Sequence, residues 1–125
     1  MMIGYITLGT NDLPRAIEFY DVLMGLLGAG RTMENDNFVA WAKSPESPAL
    51  SVIKPFDGNS ATVGNGVMIA LSAENKEQVQ TVYNKAIELG ATDEGEPGAR
   101  FDGGFYCAYF RDMDGNKLNV FCLGK

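Results

Sequence analysis

Any chemistry in this chain is done without histidine, because none occurs among its 125 residues. Histidine is the commonest metal ligand and the usual acid–base group near neutral pH. Ser–His and Cys–His nucleophile pairs are therefore excluded. The remaining candidates are Cys107, Cys122, Tyr5, Tyr106, Arg100 and the run Asp112-Met113-Asp114-Gly115-Asn116. Two cysteines in a chain with no export signal read as buried thiols that stay reduced. Tyr5 and Tyr106 can act as acids only if a pKa near ~10 is lowered. Arg100 is expected in a Gly- and Pro-rich loop, where it can clamp a carboxylate or phosphate. A surface role, or a pair with Asp102, is the plainer alternative. Asp112, Asp114 and Asn116 resemble part of a calcium loop, but Leu123 stands where that loop needs its glutamate. The run therefore reads as a hairpin turn.

The elements that must position these residues come in two similar sets. Ile3–Leu8 reads as a strand, and Asn11 or Asp12 caps a helix with Pro14 in its first turn. Leu13, Ala16, Ile17, Tyr20, Leu23, Met24 and Leu27 recur at helical spacing, so this helix buries one face. Strands are predicted over residues 30–33, 38–42 and 49–53, separated by Asn/Asp and Ser/Pro turn chemistry. After a Gly/Asn-rich segment the pattern restarts with a strand at Val67–Leu71. Asn75 caps a second helix, with Gln78 placed as in a capping box. Strands follow near Thr92–Gly95, Phe105–Arg111 and Lys117–Cys122. A shift of 63 residues places Ile6 on Ile69, Leu8 on Leu71, Tyr20 on Tyr83, Leu26 on Leu89 and Tyr5 on Met68. The predicted organisation is one domain over residues 1–125: module one at 1–54, a linker at 55–66 and module two at 67–125. The fold class is α+β, two βαβββ modules in tandem, with helices on the outer face and curved mixed sheets enclosing a cavity.

Ten basic against sixteen acidic residues give a net charge of −6. Nucleic acid is not an expected partner, because phosphate neutralisation needs a basic surface. The field favours a cationic ligand, and it also keeps a protein soluble. No apolar run reaches the ~18 residues of a membrane span. The N-terminus has no basic region or cleavage site, so the cytoplasm is the expected location.

The opening run from Ile3 to Leu13, followed by Phe19-Tyr20, resembles the first strand and helix of the vicinal oxygen chelate (glyoxalase/bleomycin resistance protein/dioxygenase-like) superfamily. Pro97-Gly98-Ala99-Arg100 and the run from Phe105 to Asn116 resemble its last strands. The resemblance implies paired βαβββ modules, frequent homodimers, and a metal held by four side chains on the first and last strand of each module. At those positions this chain has Tyr5, Ser51, Met68 and Asn119. Neutral tyrosine, serine and asparagine are poor ligands for a divalent ion, and methionine is soft. No metal and no other cofactor is expected.

A two-residue turn at Asp114-Gly115 pairs Phe110 with Asn119, Ala108 with Phe121, and Cys107 with Cys122. If Asn119 faces the cavity, so do Tyr106, Ala108, Phe110 and Phe121, while Cys107, Tyr109, Val120 and Cys122 face the helices. The expected ligand-binding set is Tyr5, Thr7, Ser51, Met68, Arg100, Tyr106, Phe110, Asn119 and Phe121. Ala70 accompanies it, with Phe38 or Trp41 according to register. This lining suits a small aromatic or antibiotic-like molecule bound without a catalytic metal, by a chain expected to pair with a second copy of itself as a homodimer. The alternatives are a metal-independent lyase or isomerase using tyrosine or arginine, and a degenerate module serving only protein association.

Overall fold

The computed structural model describes residues 2–123. Met1, at the start of the predicted first module, and Gly124 and Lys125, at the end of the second, lie outside the described residues. The chain divides into two compact units, Met1–Val63 and Gly64–Lys125.

The first unit contains β1 (Tyr5–Gly9), α1 (Leu13–Leu26), β2 (Gly30–Glu34), β3 (Phe38–Ala42) and β4 (Ala49–Ile53). The second contains β5 (Ile69–Ser72), α2 (Lys76–Glu88), β6 (Thr92–Arg100), β7 (Phe105–Arg111) and β8 (Lys117–Leu123). Each unit is a βαβββ module with its own four-stranded mixed sheet, ordered β1-β4-β3-β2 in one and β5-β8-β7-β6 in the other. First and last strands pair in parallel, and the remaining neighbours are antiparallel. Both sheets are open.

Local chemistry sets the helix starts. Asp12 caps α1 by accepting from the Arg15 amide at 3.1 Å, with Pro14 in the first turn. Asn75 caps α2 by accepting from the Gln78 amide at 2.8 Å. Gln78 reaches back to the Glu74 amide, one residue beyond the partner of a standard capping box. Each cap contributes about 1 kcal/mol. Asn11, the other candidate cap, instead holds the segment after β4, accepting from the Ala61 amide at 2.7 Å.

In the first unit α1 buries Leu13, Ala16, Phe19, Tyr20, Leu23 and Met24. These pack on the sheet face carrying Leu8, Val39, Trp41, Leu50 and Val52, all buried. The Tyr20 and Trp41 ring centroids lie 5.7 Å apart. The Trp41 indole donates to Asp21 at 2.8 Å, and Arg31 clamps the same carboxylate with two bonds of 3.0 and 2.6 Å. That clamp holds the Asp21 carboxyl below its ordinary range, against the opposing effect of burial.

In the second unit Val79, Val82, Tyr83 and Ala86 of α2 are buried and cover the sheet face of Ala108, Phe110, Leu118 and Val120, each fully buried. The Tyr83 phenol donates to Asp93 at 2.8 Å. Burial first, then that bond and the charges of Asp93 and Glu96, push its pKa up to about 12.

The β7–β8 hairpin corrects the predicted register by one residue. Asn119 opposes Tyr109 rather than Phe110, Cys107 opposes Phe121, Cys122 opposes Tyr106, and Ala108 opposes Val120. The connection is not a two-residue turn. The Asp112 carboxylate accepts from the Asp114 amide, the Asn116 amide and the Asn116 side chain at 2.9, 2.9 and 3.0 Å. Gly115 takes φ +92°, and the Asp112 amide donates to the Asn116 carbonyl at 2.9 Å. This is a three-residue loop closed by a left-handed glycine. The slip moves Tyr106, Ala108 and Phe110 onto the α2 side and Cys107 and Tyr109 to the opposite face. The two cysteines are free and buried but not cross-strand partners.

Strand β6 is the second correction. It runs through the predicted Gly/Pro loop to Arg100, which pairs with Phe105. Two register shifts, between Asp93 and Gly95 and between Gly95 and Gly98, absorb Pro97 within the strand.

Candidate functional site

Each sheet has one face under its helix and one open face, and the open faces carry the candidate residues. In the first unit Tyr5 and Thr7 of β1 align with Ala49 and Ser51 of β4, and Ser51 with Ala40 of β3. This face forms a concavity of about 440 Å³ whose lining includes Tyr5, Thr7, Met33, Phe38, Ala40 and Ser51. Phe38 therefore belongs to the open face and Trp41 to the helix face. The Ser51 hydroxyl donates to the Ile6 carbonyl at 3.0 Å. Its one proton being used, the 2.8 Å contact with Thr7 is donated by Thr7. Both hydroxyls thus present only acceptor lone pairs. Tyr5 is 70% exposed on the edge strand.

A second concavity, of about 650 Å³, lies beside the start of α1, with Thr10, Asn11 and Lys54 through Phe56 in its wall.

In the second unit the open face carries Tyr109 and Cys107 from β7, Lys117, Asn119 and Phe121 from β8, and Ala70 from β5. Met68 stands one residue before β5 and is 41% exposed. Asn119 is 1% exposed. Its side-chain nitrogen donates to the Ala108 carbonyl at 3.3 Å, and its Oδ1 has no hydrogen-bond partner among the described residues. Phe121 stacks on Phe105 with centroids 5.2 Å apart, and Phe105 lies 5.9 Å from Phe101. The interaction with the Cys107 sulfur, then burial, raises the Tyr109 pKa, so its phenol is protonated at neutral pH.

Of the other sequence candidates, Tyr106 lies on the α2 side, accepting from Gln80 at 2.8 Å with the Lys76 ammonium 5.5 Å from its ring. Phe110 is fully buried on that side. Arg100, at the end of β6, folds back along its own strand. It donates to the Glu96 carbonyl at 3.0 Å, and its guanidinium carbon lies 5.9 Å from the Tyr109 ring. Tyr109 and Lys117 were not among the expected ligand-binding residues. The carboxylate at Asp112, able to hold a three-residue loop, is the signal that would have placed Tyr109 on this face.

The four positions that the family resemblance assigns to a metal, Tyr5, Ser51, Met68 and Asn119, do not carry the donors a divalent ion needs. Tyr5 faces Ala49 across the ladder, the Ser51 proton is committed to Ile6, and Met68 and Asn119 carry no charge. Among the described residues no group of three or more His, Cys, Asp or Glu side chains is arranged to hold a metal.

Two βαβββ modules in tandem, each with one sheet face under its helix, define a paired-module α+β fold. The chain belongs to the Glyoxalase/Bleomycin resistance protein/Dioxygenase superfamily, whose profile matches residues 2–120. It is similar to a glyoxalase/bleomycin resistance protein from Albidiferax ferrireducens T118, at 34% identity and TM-score 0.90, covering 99% of this chain and 100% of that one. A hypothetical protein from S. aureus is 26% identical, with TM-score 0.69 and coverage of 98% and 96%. A glyoxalase/bleomycin resistance protein/dioxygenase family enzyme from Burkholderia phytofirmans PsJN shares the fold at 18% identity, TM-score 0.77 and coverage of 97% and 98%. No protein of curated function is significantly similar to the chain.

Proposed function

We propose that this chain binds a small planar molecule on its open sheet faces without a catalytic metal. The observation that carries the reading is Asn119. A buried acceptor without a donor costs about 1–3 kcal/mol, and a ligand that displaces the side chains over Asn119 recovers that cost with an N–H or O–H. The aromatic surface of Phe121 and Phe105 beside it supplies stacking area. The apolar concavity of the first unit, with acceptor-only hydroxyls at Thr7 and Ser51, is a second surface of the same kind. A lyase or isomerase needs an acid on these faces. Tyr106 is on the other side of its sheet and Tyr5 is 70% exposed on an edge strand, so binding is the better-supported role. Protein association alone leaves the unpartnered Asn119 acceptor without a purpose.

The protein is further proposed to be a cytoplasmic homodimer. Strand β2 is exposed along its whole length at a sheet edge, an edge that a partner can cover. Among the described residues no helix is long and apolar enough to cross a membrane. Native mass spectrometry of the purified protein tests these readings together. The expected spectrum is a dimer of the 13.5 kDa chain that retains a small organic molecule. Retention of about one zinc, nickel, manganese or iron ion per chain, set by the metal chemistry of relatives, would refute the metal-free reading. A monomer at micromolar concentration would refute the dimer.

A further inference from the structure

Two cations stand on the open face of the second sheet with no carboxylate to neutralise them. The Arg100 guanidinium and the Lys117 ammonium approach the Tyr109 ring, at 5.9 and 5.3 Å from its centroid. Neither forms an ion pair among the described residues. Of the acidic residues of β6, Glu94 pairs with Arg111 at 3.1 Å, Asp93 accepts from Tyr83 and from the Gly95 amide, and Glu96 meets Arg100 through its backbone carbonyl and not its carboxylate. Arg100 is also held in place. It lies across Gly98, where a Cβ would come within 2.8 Å of its Nη1, so only glycine lets the guanidinium lie flat there.

Resting on the binding role proposed above, we infer that this face takes an aromatic acid carrying a free hydrogen-bond donor on its ring, away from the carboxylate. Arg100 and Lys117 supply the counter-charge, and the guanidinium keeps free N–H groups suited to a carboxylate. Asn119 Oδ1 can only accept, so it selects an occupant with an O–H or N–H. Phe121 and Phe105, with their rings 24° from parallel, offer a face for the aromatic ring. The net charge of −6 repels an anion at long range. That repulsion is screened beyond about 8–10 Å in ordinary buffers, so the two local cations decide the sign.

Isothermal titration calorimetry with three probes of one shape tests this: 3-hydroxybenzoate, its neutral amide 3-hydroxybenzamide, and cationic 3-hydroxybenzylamine, in which the hydroxyl proton is not taken up by the neighbouring group. The benzoate is expected to bind about ten- to a hundredfold tighter than the amide, the range of one or two charge-assisted bonds. Its advantage should shrink at high salt. Arg100→Gln and Lys117→Gln should each cost the benzoate more affinity than the amide and so narrow the gap between them, with circular dichroism showing that each variant is folded. Gly98→Ala should reduce the preference without removing a charge. Asn119→Leu should weaken benzoate and amide alike, since both carry the hydroxyl donor. Amide or amine binding as tightly as the benzoate would overturn the acid class and leave the binding role standing. No binding by any of the three at millimolar concentration would overturn both.

Discussion

Replacing Asn119 with leucine separates the cost of an unsatisfied acceptor from its use. Leucine has nearly the shape of asparagine, with two methyl groups in place of the amide oxygen and nitrogen. Asn119 is 1% exposed, and its Oδ1 has no partner among the described residues. A buried unpaired acceptor costs about 1–3 kcal/mol, and the variant removes that penalty. It also removes the bond to the Ala108 carbonyl, which at 3.3 Å is long and contributes about 0.5 kcal/mol. The net expectation is a stabilisation of about 1–2 kcal/mol. For a chain of this length that raises the melting temperature by about 3–5 °C per kcal/mol.

Urea unfolding followed by circular dichroism measures the change. Trp41, the one tryptophan, lies in the first unit. Its fluorescence therefore reports on that unit, and coincidence of the two transitions checks that one unfolding step is being compared. In parallel, affinity for a bound aromatic should fall about tenfold or more, the value of one hydrogen bond inside a dry site. Higher stability with weaker binding is the signature of an acceptor kept for a ligand. A variant destabilised by about 1 kcal/mol or more, with binding unchanged, would show that Asn119 is satisfied within the fold, and the reasoning would fail.

Asp21→Ala should cost about 1–3 kcal/mol, chiefly by orphaning the indole N–H of Trp41, a residue 2% exposed as a whole. The half-exposed pair with Arg31 adds little, so Asp21→Asn, which keeps an acceptor, should recover most of the loss in urea unfolding. Tyr83 is protonated more tightly in the folded chain, so its contribution is complete below the ordinary phenol value and is lost as pH rises through about 12. The wild type should lose up to about 2–3 kcal/mol over that window and Tyr83→Phe should not, as read from urea midpoints against pH. Cys107 and Cys122 are buried and free, so a thiol reagent should react slowly with the native chain and find two thiols after denaturation without reductant; finding none would show a disulfide.

The parts of this molecule that were legible in the sequence are those fixed by contacts a few residues apart. Asp12 with Pro14 and Asn75 with Gln78 state where the helices begin, because a cap is satisfied by amides two or three positions on. The repeat states the two modules, because each half needs the same apolar stripe to cover its own sheet. What was not legible depended on a choice between turns of similar composition. Asp114-Gly115 fits a two-residue turn on dipeptide preference alone. Asp112 decides otherwise, by satisfying three donors across a longer loop.

One residue of slip then exchanges the faces of a whole strand, which is why Tyr106 and Phe110 moved together and why Tyr109 and Cys107 replaced them. Asn119 did not move, because its face is set by the parallel pairing of β8 with β5, where it aligns with Ala70 independently of the turn. Arg100 shows the converse case. Glycine and proline in residues 95–98 read as a loop, yet two bulges let the strand continue through them. The same glycines that obscured the strand leave the space across which the guanidinium lies. The irregularity of β6 and the position of its cation therefore have one cause, and substituting Gly98 tests both at once.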